Sequence, residues 1–578
     1  MLLALFFLLT QSAVAAECQP LSATADARLY QCESLHVLYL KGNPLTRAAA
    51  LGTLVKSGAL SPDVLNYFSG KVTDTLRHQS GFLAAVAEPF YNQIVRLLHR
   101  ETPPGISEEI DSMAQGMGIE PIDLKRAISL PDVAALTNVV GSIPLFRPLP
   151  AAGCTSVAWK SAEGGLFYGR NLDFASTGVW DRHPMLTVIL PESDAEQKHI
   201  VFGADGLIYG GITGVNESGI GFAVHQNYTS AGGLRGVPMV FIGELVLRQA
   251  KSIEQALNIL KANRPPVLWT FVLTNFATGE AVAVESSPTR FAVRGMEANS
   301  LVQTNHVMDA EAKTDEFISL GIKMNSIYRM KRAFELLEAK PRNESPAVTI
   351  AGILAYQENP EGRITAYHDV LKAHTIQTIL LESVPGQARR AYVSIDPAPT
   401  AGGRMAAFTL ENLWNEQIPP AFELVDFVKT PPEKRARQRQ ISDAFALYFD
   451  KLALSEASAL LTGHDTLDSA YFTAVTLTQR GLWQESLLTA EQALQNPRFL
   501  GEPAYIRQNL AWIRAAALLE LGRKKEAVAA AESILAEKPE NVRLRDFSDQ
   551  LSRGQTPPKY MRRFSFDFFS GDLHGRAN

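Results

Sequence analysis

Residues 153–174 read GCTSVAWKSAEGGLFYGRNLDF, and the fold turns on how that stretch bends. CTSVAWK and LFYGRNLDF are rich in β-branched and aromatic residues, and Ser161-Ala162-Glu163-Gly164-Gly165 between them carries the glycines of a chain reversal. The pattern predicts a β-hairpin. With the turn centred on residue 163, Cys154 falls opposite Leu172, and Arg170 and Asp173 lie within reach of it. A thiol, a guanidinium and a carboxylate converge at the open end of one hairpin. The arginine favours the thiolate, and the aspartate can hold the arginine or a cationic amine. Gly153 tolerates the strained backbone that attack on its own carbonyl requires.

Outward from this hairpin the period stays that of strands through 185–190, 199–203, 206–215 and 219–224. A long amphipathic helix is predicted from about 238 to 262, then strands at 268–275, 280–285 and 290–294 and a helix at 321–338. HTIQTILLE and RRAYVSI close the block near residue 396. Upstream, residues 35–145 read as mostly helical, with apolar spacing over 48–55, 62–75, 82–98 and 107–117 and a break at Pro103-Pro104-Gly105. Strands and helices in separate runs imply an α+β layered domain. Past residue 435 the chain turns all-helical. Gly481, Ala490, Ala493 and Pro497 are echoed by Gly522, Ala527, Ala531 and Pro539, which resembles tetratricopeptide helix hairpins. The glycines lie 41 residues apart (522 − 481), against about 34 in that family, with FLGEPAY as the insertion. RRFSFDFF at 562–569 either packs back as a strand or stays loose.

At 578 residues the chain is long enough for two or three domains. A net charge of −5, no basic stripe and no phosphate-binding glycine loop argue against nucleic-acid binding and nucleotide chemistry. Leu2 to Leu9 form an apolar run and Ala13-Val14-Ala15 a small-x-small cleavage pattern, so residues 1–16 read as a secretory signal even though no Lys or Arg precedes the run. The run is well short of the ~20 residues that span a bilayer, and Glu17 before Cys18 excludes a lipoprotein site. An exported protein, periplasmic or extracellular and without stable membrane insertion, is expected. Of three cysteines, Cys18 and Cys32 can pair in an oxidising compartment, which leaves Cys154 odd. An inert buried thiol is the ordinary state of such a cysteine, but its neighbours argue for chemistry.

Gly153-Cys154-Thr155 followed by Gly169-Arg170-Asn171-Leu172-Asp173-Phe174 resembles the N-terminal nucleophile hydrolases. Gly-Cys-Thr is the cleavage point in the self-processing acyl-coenzyme A:6-aminopenicillanic acid acyltransferase group, peptidase family C45. Arg and Asp at 16 and 19 residues after the Cys (170 − 154, 173 − 154) resemble choloylglycine hydrolase and penicillin V acylase. Val215-Asn216-Glu217-Ser218-Gly219-Ile220-Gly221 is similar to the family's Asn-x-x-Gly turn, and Glu285-Ser286-Ser287-Pro288-Thr289 and Thr304-Asn305-His306 to later motifs. Leu40-Lys41-Gly42-Asn43-Pro44 resembles the start of the acyltransferase pro-region. The resemblance covers roughly residues 35–400, and the order of the motifs carries it.

The resemblance implies a four-layer αββα sandwich and a division of the chain: signal 1–16, helical pro-region 17–153, catalytic core 154–430, helical repeats 435–555 and tail 556–578. Cleavage between Gly153 and Cys154 would free an α-amine that serves as base, a group that titrates at about 7.7–8.0. Arg170 and Asp173 would position nucleophile and substrate. Asn305 would bind the oxyanion with a second donor near Asn227, where Gln226 is the alternative. The substrate would be a small N-acyl amide, with acyl-coenzyme A-dependent N-acyl transfer as the alternative. The resemblance departs at Arg170, where the acyltransferase branch has Gln or Asn. It departs again at the family's late Arg, because the stretch from Tyr367-His368-Asp369 to Ala373-His374-Thr375 offers histidines instead.

Two rival readings remain. An uncleaved thiol hydrolase would pair Cys154 with His306, His368 or His374. A non-enzymatic protein would bind a protein partner or itself through the C-terminal helices, with the front half an inactive scaffold. No cofactor or metal is expected, since the eleven histidines form no His-x-x-x-His or Glu-paired cluster.

Overall fold

The computed structural model describes residues 16–565 except 80, 141–152, 208–211, 230–231, 317–319, 341–343, 358–368, 462–466, 498–503 and 540. The expected signal, all but its last residue, lies outside the described residues, as does the tail from 566. Four strands open the chain: β1 (Ala16–Glu17), β2 (Gln19–Ala23), β3 (Ala27–Cys32) and β4 (Leu35–Gly42). Helices α1 (Pro44–Lys56), α2 (Asp63–Gln79), α3 (Gly81–Leu98), α4 (Pro104–Met117) and α5 (Pro121–Val140) follow. Then come β5 (Gly153–Lys160), β6 (Leu166–Asp173), β7 (Pro184–Pro191), β8 (His199–Ala204), β9 (Thr213–Asn216) and β10 (Ile220–Gln226). Helices α6 (Met239–Gln249) and α7 (Ile253–Ala262) lead to β11 (Trp269–Asn275), β12 (Glu280–Ser286), β13 (Phe291–Gly295) and β14 (Ser300–Gln303). After α8 (Leu320–Ala339) and α9 (Pro346–Leu354) the chain forms β15 (Thr375–Ser383), β16 (Arg390–Ser394), β17 (Met405–Thr409), α10 (Leu410–Trp414) and β18 (Ala421–Val425). The remainder is helical: α11 (Pro432–Phe449), α12 (Leu454–Leu461), α13 (Leu467–Gln479), α14 (Trp483–Gln495), α15 (Ala504–Glu520), α16 (Lys524–Ala536) and α17 (Val542–Ser552).

The strands make two sheets, one in the order β13-β12-β11-β10-β9-β8-β7-β4-β3-β2 and one in the order β1-β18-β17-β16-β15-β6-β5-β14. Pairing is antiparallel except between β4 and β7. One apolar cluster draws Val37, Val188, Phe202 and Val272 from the first sheet and Ala158, Tyr168, Ile379 and Val393 from the second. Helices α1, α2 and α4 to α6 bury their apolar faces in a cluster with Leu38, Met185, Phe222 and Phe271 of the first sheet. Helices α8 and α9 join Val157, Phe167 and Leu380 of the second. Two sheets with helices and a C-terminal helical region form a mixed α/β architecture compatible with the expected sandwich.

The hairpin register is the expected one, with Cys154 facing Leu172 and Gly153 facing Asp173. Two expectations are corrected. Residues 35–42 are a strand, not part of a helical run, and β2 to β4 thread the expected pro-region into the first sheet. The cause is legible: Leu35, Val37, Leu38, Tyr39 and Leu40 are buried on both faces, and a short continuous apolar run does not distinguish helix from strand. The single helix expected over 238–262 is two, α6 and α7. The backbone at Ala250 is extended and Ser252 accepts the Gln255 N–H, so a new N-cap interrupts the apolar period. Cys18 and Cys32 are disulfide-bonded. In the helical region Ala490, Ala493, Ala527 and Ala531 are buried in one cluster, and Gly481 and Gly522 turn the chain at φ 74° and 76°.

Strand β6 is pressed against α9. A Cβ on Gly169 would stand 2.3 Å from Cγ2 of Ile350 and 3.0 Å from Cδ1 of Leu354, and Ile350 is too stiff at χ1 to yield. Gly169→Ala is expected to cost about 1–3 kcal/mol of stability by overpacking, read as a lowered denaturation midpoint. An unchanged midpoint would show that α9 gives way freely.

Candidate active site

Alternation along β5 and β6 decides what surrounds Cys154. Cys154, Ser156 and Ala158 share the face that meets the other sheet with Tyr168, Arg170 and Leu172, whereas Asn171 and Asp173 point to the helices behind. Arg170 and Asp173 are three positions apart and so lie on opposite faces. Of the two roles open to Asp173, holding Arg170 or a cationic amine, the first gives way to separate partners.

Arg170 is buried. Its Nη2 donates to Cys154 Sγ at 3.2 Å and to the Val224 carbonyl at 2.6 Å, while Nη1 donates to the Ile212 carbonyl at 2.7 Å and to Thr213 Oγ1. Asp173 accepts from Thr375 Oγ1 at 2.7 Å, and its other oxygen stands 3.8 Å from Arg329 Nη1. Asn305 reaches the site because β14 pairs with β5, Gln303 facing Ser156. Two residues further in that register Asn305 comes opposite Cys154. Its Oδ1 accepts the Cys154 N–H at 2.8 Å and its Nδ2 donates to the Gln226 carbonyl at 3.0 Å. Asn227 Nδ2 donates to Thr270 Oγ1 at 2.6 Å, and Gln226 rather than Asn227 is among the residues that line the cavity beside Cys154.

That pocket, about 400 Å³ counting the part open to solvent, is walled by Phe68, Pro131, Leu172, Phe174, Trp180, Ile212, Val224, Met239, Trp269 and Ile376, with Cys154, Arg170 and Gln226 as its polar members. Phe68 and Pro131 come from α2 and α5, ahead of Gly153, so both sides of the expected cut contribute walls. Asp132 braces two of them, accepting from Trp269 Nε1 at 2.8 Å and from the Met239 N–H at 3.1 Å. Burial pushes its carboxyl up to about 7, against the pull of those two donors.

Arg329 was not foreseen. Its Nη1 donates to the Cys154 carbonyl at 2.9 Å and to Thr155 Oγ1 at 2.7 Å, its Nη2 to Asn305 Oδ1 at 2.9 Å, and its Nε to Asn325 Oδ1 at 2.9 Å. It reaches the site from α8, earlier in the chain than the 367–375 stretch. Asn325, Ser326 and Arg329 are polar residues on the buried side of α8, and that reversal of the apolar pattern is the one sequence signal for it. Lys372, also not foreseen, is buried in the same neighbourhood.

Of the three histidines of the rival reading, the two that are described, His306 and His374, have partners other than the thiol. His306 Nδ1 is 2.8 Å from Ser326 Oγ, and burial and Arg329 push the ring down to about 4. The His374 ring stacks on Phe445 and its pKa is pushed well below the ordinary value by burial, then by Lys372 and Arg329. His368 and Tyr367 lie outside the described residues. Burial raises the Cys154 thiol above its ordinary value, opposed by Arg170 and reinforced by Asp173. Among the described residues no group of three or more His, Cys, Asp or Glu is placed to hold a metal ion.

Residues 159–395 match the family model of acyl-coenzyme A:6-aminopenicillanic acid acyl-transferase. This is the family that the Cys154 motifs resemble, an enzyme family of the acyltransferase and amidohydrolase kind and of N-terminal nucleophile type. The acyltransferase match opens five residues past Cys154 (159 − 154) and contains Arg170, Asp173, Gln226, Asn305, Arg329 and Lys372. No curated protein matches the chain.

Lys372 gives a pH test of this packing. Burial and Arg329 push its ammonium down to about 7, opposed by Asp369 and Asp173, whereas an unfolded lysine keeps its proton to about 10.4. Between those values the unfolded chain binds more protons, so this group's contribution makes stability rise with pH. Lys372→Met is expected to remove that rise: its denaturation midpoint exceeds that of the wild type most near about pH 6 and the difference narrows towards about pH 10. Two parallel curves would contradict a deprotonating Lys372.

Proposed function

We propose that the chain is a self-processing cysteine amidohydrolase that releases the acyl group of N-acyl amides through an acyl-Cys154 intermediate. One observation carries the reading: Cys154 Sγ lies 3.2 Å from the Arg170 guanidinium in an apolar cavity, with its own main-chain N–H on Asn305. The cavity suits an apolar acyl chain ending at a few polar groups. On this reading the two sheets are the middle layers of a four-layer αββα sandwich. The shared apolar cluster between them and the helices against their other faces support it.

In the uncut chain the Cys154 nitrogen is an amide and cannot act as a base. The thiol attacks the Gly153 carbonyl, the C–N bond breaks, and the acyl group moves to sulfur while nitrogen leaves as the free α-amine. Water then hydrolyses the thioester, giving a Gly153 carboxylate and a free Cys154 thiol. The α-amine is now available to take the thiol proton when Cys154 attacks a substrate carbonyl, and to pass it to the departing amine. Asn305 is placed to aid both steps. Its NH2 group has two hydrogens, one already on the Gln226 carbonyl, and Gln226 rather than Asn227 supplies further amide groups towards the cavity. Arg170 favours the thiolate from one face, while Arg329 holds Asn305 and the Cys154 carbonyl from the other.

Acyl transfer is the second reading, favoured by the family that the segment 159–395 matches. Export is part of the proposal too, and the Cys18–Cys32 disulfide suits an oxidising compartment. The C-terminal helices, read as tetratricopeptide-like, would serve a protein partner or self-association.

Intact mass and N-terminal sequencing test the nucleophile. Wild-type protein is expected as two chains meeting at Gly153–Cys154 that separate only in denaturant, and Cys154→Ala as one chain; active, uncut wild type would end the proposal. A panel of fatty-acyl and aryl-acyl amides tests the reaction. Asn305→Ala is expected to slow acyl release on the order of 10²–10³-fold. Added amines that divert the acyl group without changing its release rate would select transfer over hydrolysis.

A further inference from the structure

The apolar cavity is braced from the C-terminal helical region. Asp450 follows α11 directly, and its side chain is 9% exposed. Its Oδ1 accepts from Tyr67 Oη at 2.5 Å and from Lys71 Nζ at 2.8 Å, both on α2, and its Oδ2 accepts the Ser176 N–H at 3.3 Å. Lys71 also reaches the Phe449 carbonyl at 3.5 Å and lies 4.9 Å from the Tyr67 ring centroid. Burial, followed by the neighbouring Asp450 carboxylate, drives the Tyr67 phenol well above its ordinary value, so it stays a donor.

Each partner of Asp450 adjoins a cavity wall. Tyr67 precedes Phe68, whose ring stacks on Phe174 at 5.6 Å and lies 5.8 Å from Trp180. Phe68, Phe174 and Trp180 all line the cavity beside Cys154. Ser176 stands between the last two. It is held at φ 106°, a conformation unfavourable for a residue with a Cβ, and its carbonyl accepts the N–H groups of Val179 and Trp180 at 2.9 and 3.0 Å. One carboxylate therefore fixes α2 and the turn between two aromatic walls at once.

We infer that Asp450 is a positioning residue that sets the aromatic wall of the acyl cavity, which makes the C-terminal helical region part of acyl-chain selection. The inference rests on the reading of the cavity as the acyl site. A substrate whose acyl group fills the cavity feels this wall, whereas an acetyl group, which occupies only the space next to Cys154, does not. The effect belongs to binding, because Asp450 touches neither the thiol nor the groups that hold it.

Acyl release from a long-chain fatty amide and from the acetyl amide of the same amine is measured for wild type, Asp450→Asn and Tyr67→Phe. Both variants are expected to raise KM for the long-chain substrate by about tenfold, the worth of one charge-assisted hydrogen bond, with kcat and the acetyl kinetics within about twofold. Tyr67→Phe removes a hydroxyl only, and it decides the matter should Asp450→Asn fail to fold. An unchanged long-chain KM, or an equal loss on both substrates, overturns the inference while leaving the hydrolase reading intact. Wild-type protein that releases neither acyl group overturns that reading, and the inference with it.

Discussion

The Arg329 guanidinium is the contact on which the rest of the site depends. It meets the Cys154 carbonyl, Thr155 Oγ1 and Asn305 Oδ1 and lies near Asp173, joining β5, the end of β14 and the end of β6 from the buried side of one helix. A planar fork of fixed donors is suited to this, because its N–H groups point in set directions from three separate nitrogens, whereas a lysine donates from a single nitrogen. A buried arginine carries a large desolvation cost, which is met here by hydrogen bonds on every nitrogen and by a nearby carboxylate. Asn305 is thereby locked with its oxygen towards the Cys154 N–H.

The thiol has the opposite problem. It is buried among apolar groups that disfavour a thiolate, and Arg170 is the cation that opposes them. Arg170 is itself held on the Ile212 and Val224 carbonyls and on Thr213, so the ten-stranded sheet aims a guanidinium from the eight-stranded one. The site is an inter-sheet device, and its geometry rests on the packing of the two sheets.

That packing also includes the segment ahead of Gly153. Strand β4 lies parallel to β7 inside the first sheet, and Phe68 and Pro131 form part of the cavity wall. A chain cut at Gly153–Cys154 would keep its N-terminal part through these contacts, since the disulfide lies within that part and joins nothing across the cut.

The hairpin, its register and the convergence of Cys154 with Arg170 were legible in the sequence because they are local. Eight residues, a five-residue turn and eight more leave one way to pair, and strand alternation then assigns faces. The same alternation already put Arg170 and Asp173 on opposite faces. Asn305 was legible through its motif, yet its place opposite Cys154 follows from β14 pairing with β5. The places of Arg329, Lys372 and Gln226 beside the hairpin were set only by the tertiary structure. Each depends on which face of a helix or strand meets the hairpin, and that is set by burying apolar area across the whole domain, to which a single polar residue in the sequence gives no pointer.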